Sequence, residues 1–351
     1  MPLELARRSR RFMELIPLRP IRAVVKVTHN CNSRCITCFA WKEESQDELT
    51  TTELCDILCQ IRALGISDLS LFGGEPLLRD DLSTVARKAH DLKFDRIHLV
   101  TNGLLLTRER SIQLVENGIT SVYISLNGTE HVHDITRGIK GAYARTMEAI
   151  QSLVELRDSR FPHLEISVIT MVMGITVDHI LEMADMCRRW GIGLSLAPLD
   201  TSLPQQGAVP ADFMTIRQHR LDHVIDGMHR MKRASSPLIH DSHTSLEYVR
   251  SCFTNRRRTD IPCYLGYLSI FVGAHGEVFP GCWVLSPVGE LRQASLKQIV
   301  GSKVYKERVH DMFLKKCHGC VCDYILNLYA HVPAVVEEMQ WRLQLRSTIR
   351  G

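Results

Sequence analysis

Apolar, β-branched runs alternate with amphipathic stretches through the first half of the chain and a little beyond. Strand-like runs fall at Ile21–Val27, Asp68–Phe72, Arg96–Thr101, Ser121–Leu126, Leu164–Met171 and Ile192–Ala197. Helical periodicity occupies Thr51–Leu64, Asp81–Asp91, Arg108–Glu116, Ala142–Leu156 and Val177–Trp190. Thr51 and Thr52 offer caps for the first helix, and Gly65 and Gly191 follow two others. Strands that are apolar on both faces and separated by helices predict a parallel sheet covered by helices. Right-handed crossovers would curl six such units into a partial (β/α)6 barrel, with a flat doubly wound sheet as the rival.

The rhythm stops near Ala197. Residues 197–212 are polar and hold three prolines, which reads as a linker or substrate-facing loop. A long helix is expected over Phe213–Met231, a hairpin over Ser269–Trp283 turning at His275-Gly276, and helices near Lys303–Phe313 and Tyr324–Leu345. The organisation expected is an N-terminal basic helix (1–20), a barrel core (21–200), a helical, substrate-facing linker (201–255) and a small C-terminal domain of hairpin plus helices (256–351). His240, Asp241 and His243 lie in a loop before a helix, where they would line a pocket or stand at the surface.

Composition narrows the class. With 351 residues, 45% hydrophobic and 23% charged, the chain is an ordinary soluble globular protein. No apolar run approaches the ~20 residues that span a bilayer. The N-terminus lacks the pattern of a secretory signal, so a cytoplasmic protein is expected. A net charge of +4 is too mild to argue for nucleic acid. Arg7, Arg8, Arg10 and Arg11 give the first segment a basic face, read as solvated, with contact to a membrane surface as the lesser alternative. The run Arg256–Arg258 reads as a solvated loop or an anion contact. Twelve cysteines in such a chain point to metal ligands more than to disulfides.

Cys31, Cys35 and Cys38 are spaced Cys-x3-Cys-x2-Cys directly after the first strand. That is the C-terminal rim, where barrel enzymes assemble their sites. Structural zinc takes four protein ligands, and His29 stands near enough in sequence to be the fourth. A [4Fe–4S] cube held by three thiolates instead leaves one iron open. Polar motifs recur at the same end of successive strands: FGGEP (Phe72–Pro76), TNG (Thr101–Gly103) and SLNG (Ser125–Gly128), then Arg137. Gly73 and Gly74 would let backbone approach a ligand, and Glu75 would add a fixed charge.

This combination resembles the radical S-adenosylmethionine (SAM) superfamily over about Ile21–Ala197. The resemblance implies that Cys31, Cys35 and Cys38 ligate a [4Fe–4S] cluster whose fourth iron is chelated by SAM, which is cleaved reductively to a 5′-deoxyadenosyl radical. It implies further that Gly73, Gly74 and Glu75, with Pro76 in the same motif, hold the methionyl amine, and that Asn102 belongs to the cofactor rim. Ser125 and Asn127 would contact the ribose, and Arg137 and Ser167 the carboxylate. Thr37 replaces the usual aromatic or hydrophobic residue before the last cysteine, and Asn127 replaces a common Asp. A small electron donor such as flavodoxin or ferredoxin is the implied reducing partner, and a small molecule or peptide the substrate.

Of the other nine cysteines, Cys55, Cys59 and Cys187 read as core residues in helices. Cys263 and Cys282 flank the expected hairpin, and Cys317-x2-Cys320 follows, with Cys322 close by. This set is similar to the Twitch domain, a truncated relative of SPASM. The similarity implies an auxiliary [4Fe–4S] cluster on Cys263, Cys282, Cys317 and Cys320, with Cys322 as a substitute ligand; zinc in the same four thiolates is the alternative. A fully ligated auxiliary cluster would serve electron transfer, which favours an oxidative radical enzyme (dehydrogenation, or peptide or sugar modification). The alternatives are a redox-neutral epimerase with Cys252 or Cys322 as hydrogen donor, and a non-catalytic zinc-binding protein.

Overall fold

The computed structural model describes residues 20–38, 40–42, 45–199, 210–234, 238–254 and 263–317. Strands β1 (Arg22–Lys26), β2 (Asp68–Phe72), β3 (Arg96–Thr101), β4 (Ser121–Ser125), β5 (Glu165–Val172) and β6 (Gly193–Pro198) are joined through helices α1 (Thr51–Ala63), α2 (Leu82–Asp91), α3 (Arg108–Glu116), α4 (Glu130–Arg137), α5 (Ala142–Ser159) and α6 (Ile180–Trp190). A single turn, α7 (Ala211–Met214), precedes α8 (Gln218–Arg233), α9 (His243–Cys252) and a second short turn, α10 (Leu265–Leu268). Strands β7 (Ser269–Val272), β8 (Glu277–Phe279) and β9 (Gly289–Glu290) are followed by α11 (Leu296–Gly301) and α12 (Lys303–Phe313). The six parallel strands curl as the expected α/β partial barrel.

Strand alternation divides the sheet into two faces. Ala23, Val25, Leu69, Leu71, Ile97 and Leu99 are fully buried against helical residues such as Leu54, Ile61 and Val85. The opposite face carries Arg22, Asp68 and His98, joined as a polar chain: Arg22 Nε donates to Asp68 Oδ1 at 2.8 Å, and His98 Nε2 stands 3.3 Å from the same oxygen. His98 also contacts Ser121 Oγ and meets Tyr123 edge-on at 5.6 Å between ring centroids.

Among the described residues, the sheet continues beyond the six strands in the order β6-β5-β4-β3-β2-β1-β7-β8-β9. The expected hairpin is there, with β7 and β8 antiparallel, but β7 also pairs in parallel with β1, Arg22 opposite Ser269. It is therefore built onto the barrel and covers the edge that β1 would otherwise expose. At the other edge, Leu194 donates to Leu238 O and His240 to Leu194 O, so residues 238–240 cover β6.

Three local expectations change. Thr50, not Thr51 or Thr52, caps α1, in a capping box with Glu53. The long helix expected over Phe213–Met231 is interrupted after Met214, because the backbone there packs on Gly174, where a Cβ would lie 2.4 Å from Thr215 O. Cys187 is buried, which pushes its thiol up to about 12, whereas Cys55 and Cys59 are only half-buried. Among the described residues no helix is long and apolar enough to cross a membrane. The basic segment 1–20, Arg256–Arg258 and the helix expected near Tyr324–Leu345 lie outside the described residues, apart from Pro20.

Burial works against charge on Asp68, but hydrogen bonding to His98 and the Arg22 guanidinium hold its carboxyl well below the usual range. A depressed folded pKa stabilises above the unfolded value of about 3.9, and that contribution is lost as pH falls through the folded value. Asp68→Asn is expected to lower unfolding stability by about 1–2 kcal/mol at neutral pH, discounted for partial exposure. In denaturant titrations, that difference should shrink as pH falls below about 4.

Candidate active site

The cysteine loop leaves β1 at its C-terminal end and is held from three sides. Gly74 N donates to Thr28 O at 2.8 Å and Glu75 N to Asn30 O at 2.7 Å, so the loop after β2 lies directly along the loop after β1. The two glycines are needed for that approach: a Cβ at Gly73 would sit 2.4 Å from Thr28 O, and one at Gly74 2.2 Å from Asn30 O. The close approach expected of Gly73 and Gly74 is thus to the cysteine loop's own backbone.

Glu75 is fully buried, and protein donors occupy both its oxygens. Oε1 accepts from Thr101 Oγ1 at 2.7 Å and Leu77 N at 3.1 Å; Oε2 accepts from Asn102 N at 2.7 Å. Burial raises its pKa, against the pull of those hydrogen bonds. Pro76 is buried and starts the short turn that follows. Asn102 carries the hold onward: its Nδ2 donates to Asn32 Oδ1 at 2.7 Å and Ser33 Oγ at 2.9 Å, both between the first two cysteines.

The third side is α4. Arg34 N donates to Arg137 O at 2.9 Å, and Ile36 N to Thr136 O at 3.1 Å. Arg137 Nη1 points at Cys35 Sγ, 3.5 Å away, and its Nε is buried with no acceptor among the described residues. Gly138, at φ 65°, ends the helix where Arg34 O would strike any Cβ.

Burial, with Cys35, Glu75 and Cys38 adding negative potential, pushes the Cys31 thiol up to about 11 against a hydrogen bond from Ser33 N. Such a thiol ionises at neutral pH only when a metal supplies positive charge. Among the described residues, the three sulfurs do not draw within 4.8 Å of one another as a set. His29, the alternative zinc ligand, stacks on His275 at 5.0 Å and groups with the hairpin instead. The thiol trio, the cationic Arg137 and the orphaned Nε fit an iron–sulfur cube with an anionic ligand beside it.

The remaining expected residues divide. Ser125 ends β4 at the rim. Asn127 is buried and committed to the protein: Oδ1 accepts from Met171 N at 3.0 Å, Nδ2 donates to Thr136 Oγ1 at 3.2 Å. An aspartate would lose the second bond, which accounts for the amide here. Ser167 lies near the start of β5, level with Tyr123, where its Oγ and His240 crowd the space above Gly193. The structure does not bring it to the rim with Arg137.

In the C-terminal part, Cys263 and Cys282 share one apolar nest with Leu265, Phe271 and Met312. Cys317 follows α12 by a few residues, while Cys320 and Cys322 lie outside the described residues. Trp283 packs on Phe72 at 5.4 Å and Phe271 at 4.9 Å, with Lys26 Nζ 5.2 Å from its ring centroid. It therefore links the nest to the ends of β1 and β2, a contact that pairing of β7 with β1 creates and local periodicity does not reveal. Cys252 donates to Tyr248 O at 3.2 Å within α9, which packs against α8 and β6.

Fold and rim together define a parallel partial barrel with a cysteine triad on the loop after its first strand. Residues 25–187 match the Radical SAM superfamily. The chain is 25% identical over 320 residues to the AdoMet-dependent heme synthase of Methanosarcina barkeri, covering 85% of this chain and 87% of that protein. It is 27% identical over 286 residues to the sporulation killing factor maturation protein SkfB of Bacillus subtilis, covering 80% of this chain and 64% of SkfB. The crystal structure of Streptococcus suis SuiB bound to S-adenosylmethionine superposes with a TM-score of 0.68 at 15% identity, over 88% of this chain and 72% of SuiB.

Glu75→Ala would leave three buried donors without their acceptor and loosen Asn102. It is expected to cost about 3–5 kcal/mol of stability and to lower the iron retained after anaerobic reconstitution, measured by denaturant titration and metal analysis. Glu75→Gln should retain more of both.

Proposed function

We propose that this enzyme binds SAM at a [4Fe–4S] cluster on Cys31, Cys35 and Cys38 and performs an oxidative radical modification of a peptide or small molecule. The observation that carries the reading is the strapped cysteine loop with Arg137 at its edge. When bound, the reduced cluster supplies an electron that splits SAM into methionine and a 5′-deoxyadenosyl radical, and an auxiliary cluster would supply an electron acceptor. Cys263, Cys282, Cys317 and Cys320, with Cys322 as the substitute, are the ligands proposed for that second cluster. The apolar nest around Cys263 and Cys282 supports this.

The chain's own residues position the reactants. Glu75 and Asn102 fix the loop, and the rim backbone at Gly73 and Gly74 offers carbonyls to the methionyl amine. Arg137 Nε, buried without an acceptor among the described residues, suits the SAM carboxylate. Ser125 is offered to the ribose. Phe72, Trp283 and Lys26, packed together at the ends of β1 and β2, are the surface offered to the substrate in this reading. A peptide substrate is favoured by the likeness to SkfB and by the fold shared with SuiB, which has been crystallised with its precursor peptide SuiA. A small protein electron donor of the flavodoxin or ferredoxin kind completes the cycle in this reading.

Protein reconstituted anaerobically with iron and sulfide is expected to release 5′-deoxyadenosine from SAM under dithionite. Replacing Cys31, Cys35 or Cys38 with alanine should reduce that release by at least about a thousandfold, since a positioned cofactor carries the whole step. Replacing Cys263 or Cys282 should lower iron content while leaving SAM cleavage measurable by chromatography. Equal turnover without the first three thiols would overturn the reading.

A further inference from the structure

A second group of ligating side chains lies beside the cysteine loop but does not use its thiols. One nitrogen each from His29 and His275 and a carboxylate oxygen of Glu277 all lie within 4.8 Å of one another. They come from three places: His29 from the loop after β1, His275 from the turn between β7 and β8, and Glu277 from the first position of β8. Each is held by backbone contacts. His29 N donates to Glu48 Oε1 at 2.5 Å, and Leu49 N to Ala274 O at 2.7 Å, which anchors the turn.

His275 is oriented from behind. Its Nε2 stands 2.8 Å from Gln46 O, and a carbonyl only accepts, so Nε2 carries the hydrogen. The other ring nitrogen, Nδ1, faces Glu277 Oε1, 3.5 Å away. Oε2 of the same carboxylate accepts from His275 N at 3.0 Å, which fixes its plane. Room for that fold-back exists only because residue 273 is glycine: a Cβ there would sit 2.2 Å from Oε2. A positive charge between Nδ1 and Oε1, carried by a proton or by a metal ion, satisfies both atoms.

The dimensions suit a metal ion. Bonds of about 2.0–2.2 Å at a tetrahedral angle put neighbouring N and O ligands about 3.3 Å apart. The same geometry puts the centroids of two imidazoles on one ion about 5.2 Å apart; those of His29 and His275 are 5.0 Å apart. A backbone carbonyl on the far nitrogen of a histidine is the usual outer support of such a ligand.

We propose that His29, His275 Nδ1 and Glu277 Oε1 form a site for one divalent first-row cation of the zinc kind, with its fourth position left to water. Two imidazoles and one carboxylate are an ordinary ligand set for such ions. The ion would clasp the hairpin to the loop that carries Cys31. It is independent of the iron–sulfur reading, because none of its ligands is a cysteine.

The test uses the full chain, reconstituted anaerobically, incubated with a few equivalents of zinc chloride and desalted. Zinc and iron per chain are measured together by plasma mass spectrometry, with melting curves with and without zinc. Wild type is expected to retain about one zinc more than His275→Ala or Glu277→Gln, with iron unchanged, and zinc should raise the melting temperature of wild type alone. Glu277→Gln keeps an acceptor for His275 N, so its iron content reports an intact fold. The variant lacking Cys31, Cys35 and Cys38 should keep the extra zinc. Equal zinc in wild type and Glu277→Gln would reduce the group to a protonated histidine–glutamate pair and overturn the proposal. Loss of the extra zinc with the three thiols would overturn it as well.

Discussion

A single buried carboxylate organises the catalytic end of this barrel. Glu75 accepts from Thr101, Asn102 and Leu77 with no exposure to water. Removing such an acceptor leaves each donor with its desolvation cost unmet, so the arrangement is close to all-or-none. Through Asn102 the same carboxylate reaches Asn32 and Ser33. The loop that presents three thiols is therefore fixed by the ends of β2 and β3 before any metal arrives.

The other ties follow the same logic of backbone pairing against a loop that has no regular structure of its own. Gly73 and Gly74 allow two chain segments to run in contact, and α4 lends its last carbonyls to Arg34 and Ile36. Arg137 then meets Cys35 from the end of α4. A cluster bound here would find its ligands preorganised and a cation already beside one sulfur, both of which bear on its potential. Trp283, just after the C-terminal hairpin, packs between Phe72 at the end of β2 and Phe271 of the nest that holds Cys263 and Cys282.

Much of this was legible in the chain itself. Strands Asp68–Phe72 and Arg96–Thr101 and helix Lys303–Phe313 match their expected ends, because apolar periodicity and flanking caps agree there. The triad spacing pointed to the rim and to the superfamily. What periodicity missed depends on tertiary contact. Whether Glu75 faces a ligand or three protein donors is set by the neighbouring strand ends. Pairing of β7 with β1 joins residues nearly 250 positions apart, and nothing local to Ser269–Val272 encodes the partner. Ser167 was expected at the rim, and its strand instead carries it to the level of Tyr123 beside His240. The break before α8 depends on Gly174, far from the helix in sequence.

The central claim is that three thiolates on this strapped loop leave one iron open to SAM. Electron paramagnetic resonance of the dithionite-reduced protein, with Cys263 and Cys282 replaced so that the first cluster is observed alone, tests it most directly. The account predicts a reduced-cluster signal whose g-values shift when SAM is added. A signal unchanged by saturating SAM, or no cluster signal at all, would contradict it.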